Sequence, residues 1–206
     1  MITSYTELTA DHIGVLRELG NIGAGNAATS LSVLLDEDVL ISLPVVRIED
    51  YDAVVTSVGG PEELAVSVLL NFSGEANGVI LFLLSMEDAK DIMNILGVVD
   101  EEYTSGLSET KISAVKEIGN ILGSSYLGSI ASLTGINIDV SIPYIAIDMI
   151  GAILAAPVVQ FGAEDSKVLY IEEVFSTGQR KLNGHVIMFT DVYSLKEILG
   201  RLGLEL

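Results

Sequence analysis

From Ala10 to Leu35 the apolar positions recur three and four residues apart: Ile13, Leu16, Leu19, Ile22 or Gly23, Ala27, Leu31 and Leu34. That period predicts one long amphipathic helix, with Thr9 or Asp11 placed to cap its start. A strand, DVLISLP over 38–44, is expected after it. The same succession returns 99 residues later. EIGNILGSSYLGS over 117–129 aligns with ELGNIGAGNAATS over 18–30, and NIDVSIP over 137–143 aligns with DVLISLP. A later block recurs at an offset of 106: NGVILFLL (77–84) with NGHVIMFT (183–190), and KDIMNILG (90–97) with KEILGRLG (196–203).

Each half therefore reads as a long helix, strands, an Asn-Gly turn, an apolar strand and a closing amphipathic helix. A unit written twice comes before any other consideration of fold. The expectation is an α/β fold of the α+β type: one internally duplicated, pseudo-two-fold domain with long surface helices and a mainly antiparallel sheet. Residues 1–100 form the first half and 101–206 the second. The boundary is placed near 98–107, in the polar stretch VVDEEYTSGL. Seven extra residues of the second half fall between Pro143 and Asn183. PYIAIDMIGAIL (143–154) is expected to be a short helix that the first half lacks.

Gly23-Ala-Gly25-Asn-Ala-Ala28 spells the G-x-G-x-x-G/A pattern of a dinucleotide-binding turn. Such a turn needs a strand before the first glycine. Here a helix runs through it, and the second copy lacks the glycine pair. What recurs is a carboxylate and an amide: Glu18 with Asn21, and Glu117 with Asn120.

At 100° per residue, positions 14, 18, 21 and 25 share one arc. They are Gly14, Glu18, Asn21 and Gly25 in the first helix, and Ser113, Glu117, Asn120 and Ser124 in the second. The apolar stripe lies opposite. A helix surface is ordinarily filled with Glu, Lys, Gln or Arg, and asparagine is a mediocre helix former. A pair of polar groups flanked by Gly or Ser, present twice, reads as a shelf for docking another protein.

Composition narrows the partners. The 206 residues carry 29 acidic and 10 basic side chains, a net charge of −19. That argues against nucleic acid and anionic membrane, which require clustered Lys and Arg. No cysteine is present, and two histidines are too few for an ordinary zinc site. No signal segment is visible at the N-terminus, and the longest apolar runs are too short to span a bilayer. The expected location is cytoplasmic. His12 and His185 match no pattern and are read as structural, and Tyr103 carries no motif.

Without His, Cys or Lys beside them, a carboxylate and an amide form no nucleophile–base pair. An amide can instead orient a water for in-line attack at phosphorus, where positioning and electrostatics dominate. A nearby Glu can pair with a cation of the partner. The chemistry favours an auxiliary phosphatase acting on an activated phosphoryl group that the partner supplies together with its metal.

The pattern D/S-x3-E-x2-N-x22-P, present twice, resembles the CheC/CheX/FliY family of chemotaxis CheY-phosphate phosphatases. Ser113, Glu117, Asn120 and Pro143 match it fully. Glu18, Asn21 and Pro44 match it with Gly14 in the first position. The two-site length is similar to the CheC branch. The resemblance implies an enzyme that dephosphorylates the phospho-aspartate of CheY. Glu18, Asn21, Glu117 and Asn120 would be catalytic, Pro44, Ser113 and Pro143 motif support. It implies no cofactor or metal on this chain, Mg2+ on the response regulator, and a monomer. It also implies a second partner, the receptor deamidase CheD, with Asp148 and Met149 near that contact. Two alternatives remain: a binding module that chiefly regulates CheD, and a non-catalytic flagellar-switch relative. Ser113 against Gly14 predicts that the second site is the stronger.

Overall fold

The computed structural model describes residues 4–95, 109–161, 167–178 and 180–204. The proposed boundary at 98–107, with Tyr103, lies outside the described residues.

Helix α1 spans Ala10–Leu35, with the bounds its periodicity predicts. Thr9 is its N-cap: the side chain accepts from the His12 N–H, and the His12 ring accepts in turn from the Thr9 N–H at 3.0 Å. That reciprocal arrangement satisfies donors the first turn leaves unpaired, and it gives His12 a structural role. Strands β1 (Val39–Ile41) and β2 (Val45–Asp50) and helix α2 (Tyr51–Ser57) follow. Strands β3 (Leu64–Gly74) and β4 (Gly78–Ser85) form a hairpin that leads into helix α3 (Met86–Ile95).

The second half repeats the order. It has helix α4 (Glu109–Thr134), strands β5 (Ile138–Val140) and β6 (Tyr144–Met149), helix α5 (Ile150–Phe161), strands β7 (Lys167–Thr177) and β8 (Arg180–Thr190), and helix α6 (Val192–Arg201).

One expectation is corrected here. Residues 144–149 are strand β6, not helix; the helix begins only at Ile150. Nor does the first half lack the element. β2 and α2 start 99 residues before β6 and α5, and α5 is the longer of the two helices. β6 is strand because its backbone pairs with β3 from Leu64↔Met149 to Leu69↔Tyr144.

Among the described residues, all eight strands join one antiparallel sheet in the order β1-β7-β8-β4-β3-β5, with β2 also on β7 and β6 also on β3. The halves exchange their outer strands: β1 and β2 of the first pair with β7 of the second, while β5 and β6 of the second pair with β3 of the first. Helices α1, α3, α4 and α6 bury their apolar faces on one side, among Leu70, Ile80, Ile171 and Val186. Helices α2 and α5 cover the other, through Val54, Ile150 and Leu154 against Leu83, Tyr170 and Ile187. Covered on both faces, β4 is buried along nearly its whole length and reads as the continuous run GVILFLL.

Candidate functional site

The two long helices pack on each other, and small residues make the approach possible. A Cβ added at Gly23 would lie 2.8 Å from the ring of Tyr126, and Asn26 Nδ2 donates to Ser129 Oγ at 3.1 Å. Gly119 sits directly on Val68, and a Cβ at Gly123 would come within 2.8 Å of Leu70 Cδ1. Such contacts explain why helix interiors tolerate glycine at a cost of about 1 kcal/mol each. At Gly14 and Gly25 nothing lies within 4 Å of where a Cβ would be. Those two flank the Glu18/Asn21 pair and leave the helix surface bare.

Glu18 and Glu117 are exposed, as are Ser113 and Ser124. Asn21 and Asn120 are half-buried, so the amides sit lower than a purely outward face would place them. The two sites also differ. The Oδ1 atom of Asn21 is buried and has no hydrogen-bond partner. Pro44 is buried beside the first site: a Cβ at Gly20, the residue before Asn21, would lie 3.5 Å from Pro44 Cγ and 3.4 Å from Val46 Cγ2. Pro143 is half-buried. The asparagine-to-proline spacing thus corresponds, in the first half, to a helix resting on the strand that follows the proline.

Asp148 and Met149 are exposed on the edge strand β6, which pairs with β3. The Asp148 carboxylate accepts from the Met149 N–H at 2.7 Å. Exposed Ile142, Tyr144 and Ile147 share that stretch.

A concavity of about 620 Å³ lies elsewhere, lined by Ser85, Asp88, Asp91, Glu172, Lys181 and His185 among others, with no contribution from α1 or α4. His185 there shares a 2.8 Å hydrogen bond with the Tyr170 hydroxyl, and the rings stack at 5.9 Å. Burial lowers the His185 pKa, against the opposing pull of Glu172. Among the described residues, no group of three or more His, Asp or Glu is arranged to hold a metal ion, and no helix is long and apolar enough to cross a membrane.

One residue of interest escapes the motif. Glu173, on β7, is 1 % exposed, and neither carboxylate oxygen has a partner. Burial pushes its carboxyl up to about 8. A signal for it exists in KVLYIEEVFST: Leu169, Ile171 and Phe175 face the helices, and alternation puts Glu173 on their side.

Neutral amides are neither acids nor bases near pH 7, so Asn21 and Asn120 can bind and orient but cannot carry a proton for the reaction. A water held by an amide and a cation held by a carboxylate are within their means.

The CheC-like family model matches residues 14–48 and 111–145, which are the two stretches from the Gly14 or Lys111 region of each helix through its proline. Over 206 residues the chain is 27% identical to CheY-P phosphatase CheC of Bacillus subtilis (strain 168), covering 98% of this chain and 99% of that protein. It is 29% identical over 143 residues to the flagellar motor switch phosphatase FliY of the same organism, covering 69% of this chain and 36% of that protein. The crystal structure of Thermotoga maritima FliY superposes with a TM-score of 0.76 at 25% identity, covering 96% of this chain and 98% of that one.

Proposed function

We propose, from the premise that this chain belongs to the CheC-like family, that it is a phosphatase for the phospho-aspartate of the response regulator CheY. The observation that carries the reading is the duplicated pair itself. Each family-matched segment presents an exposed Glu and a half-buried Asn one turn apart. In this reading Asn21 and Asn120 orient the attacking water beside the phosphoryl group, and Glu18 and Glu117 pair with a cation of the regulator. The chain binds no cofactor; Mg2+ belongs to the regulator and neutralises charge there, as phosphoryl transfer requires. One domain over residues 1–206 carries both sites and acts as a cytoplasmic monomer.

The test is loss of phosphate from phosphorylated regulator in the presence of the chain bearing Glu18→Ala, Asn21→Ala, Glu117→Ala and Asn120→Ala together. The exposed or half-buried positions of these side chains allow the fold to survive. Acceleration is expected to vanish, and a folded quadruple variant as active as the parent would end the proposal.

CheD is a second proposed partner, at the β6 edge. Exposed Asp148 and Met149 support it, because a lone carboxylate on an otherwise apolar strand is a selective contact. Asp148→Lys is expected to weaken CheD binding and leave phosphatase activity unchanged. Equal binding by the variant would remove this edge from the interface.

A further inference from the structure

We propose that Glu173 is a positioning residue for the first site: its carboxyl, beneath α1, is the hydrogen-bond partner of the Asn21 carbonyl oxygen and fixes the aim of that amide. The inference rests on the reading of Asn21 as the group that orients water.

Sheet register supplies the placement. Pro44 precedes Val45, which pairs with Glu172, and the next pair on the helix side is Val46↔Ile171, both in the helix-facing core. Glu173 therefore lies beside Pro44 on the face that α1 covers. Gly20 of α1 rests on Pro44 and Val46, and Asn21 is the next residue. Two buried polar groups without partners, Asn21 Oδ1 and the Glu173 carboxyl, thus belong to the same strip of the molecule.

The equivalent position beneath α4, which carries the second pair, holds a different residue. β3 and β7 correspond at an offset of 103, since Leu69↔Tyr144 and Glu172↔Val45 are equivalent pairs. Leu70 is the counterpart of Glu173, and it packs against Gly123 of α4. An apolar residue fills the place there.

An amide carbonyl oxygen only accepts, so the bond requires the acid form of Glu173 as donor. It is made by rotation about side-chain torsions. The surroundings keep the acid form, because burial alone raises the carboxyl to about 8. No charge from the neighbouring elements opposes this. Glu172 of β7 pairs with Arg47 of β2 at 3.6 Å on the other face of the sheet; Arg17 and Glu18 of α1 are exposed; and β8 presents Gly184 opposite. Above pH 8 the carboxylate would face the same oxygen with no proton to share.

The test uses the full chain in two readouts. In the first, NMR follows the Asn21 and Asn120 side-chain amides from pH 6 to pH 10. Asn21 is expected to shift with a midpoint near 8 in the parent, to lose that transition in Glu173→Gln and in Glu173→Leu, and Asn120 to stay level. An Asn21 signal that does not titrate, or that titrates equally in whichever variant folds, overturns the proposal. In the second, the chain bearing Asn120→Ala, with only the first site, is expected to lose about tenfold in phosphatase rate from pH 7 to pH 9, the loss of one protonated group. The chain bearing Asn21→Ala serves as the control that should lack this loss. An NMR transition without any phosphatase activity would overturn the proposed function and leave the positioning contact standing. Activity through the first site without the transition would do the reverse.

Discussion

Serine 113 and Gly14 occupy the same place, one turn before the glutamate, and both are open to solvent or nearly so. Only the serine offers a hydroxyl to a docked partner. Removing one preorganised donor from a catalytic site typically costs a factor of about 10²–10³. Asn120→Ala is therefore expected to lower activity more than Asn21→Ala, measured at regulator concentrations well below saturation. A greater loss with Asn21→Ala would show that the serine confers no advantage. Glu173 yields a separate prediction about stability. Its native carboxyl holds a proton up to about pH 8, whereas the unfolded chain releases it near 4.5. Between those values the native state binds more protons, so stability falls as pH rises and levels off above 8. The full window amounts to at most about 5 kcal/mol. Urea titrations at pH 5, 7 and 9 should show the parent losing stability relative to Glu173→Gln, and parallel behaviour would contradict it.

The helices were the most legible elements, because a 26-residue period of three and four cannot be mistaken for alternation. The Glu/Asn pairs were legible for a related reason: they recur at one offset on one helix face. What escaped reading was β6. Tyr144–Met149 is apolar except for Asp148 and runs directly into α5, and a short, mainly apolar run has no period by which to choose strand or helix. The repeat held the missing information. Ile48 and Glu49 of β2 stand 99 residues before Ile147 and Asp148, so the first half already contained its counterpart. Glu173 escaped because motif matching stops at the helices. Helix packing also yields a contrast between glycines. Gly119→Ala drives a methyl into Val68 and is expected to destabilise by about 1–3 kcal/mol. Gly14→Ala meets nothing and should stabilise by up to about 1 kcal/mol. Thermal unfolding of the two variants checks the sign of each.

At the scale of the molecule, the exchange of outer strands makes neither half self-sufficient. A chain ending at residue 100 keeps β1 and β2 but lacks β7, to which both pair, and leaves the outer side of β3 without β5 or β6. Unpaired strand edges favour aggregation over folding. That shortened chain is expected to be unfolded or insoluble by circular dichroism, and the full chain to melt in one transition. A stable, soluble first half would contradict the interdependence. The exchange also sets a schedule for synthesis. Seventy-five residues separate Gly74, where β3 ends, from Met149, the last residue of the strand that covers its edge. At 5–20 residues per second, a ribosome leaves that edge open for roughly 4–15 s. For that interval every nascent chain is a short-lived client for whatever shields unfinished sheets. A codon change that slows translation between 75 and 149 would lengthen the exposure and lower the soluble yield without altering a single amino acid.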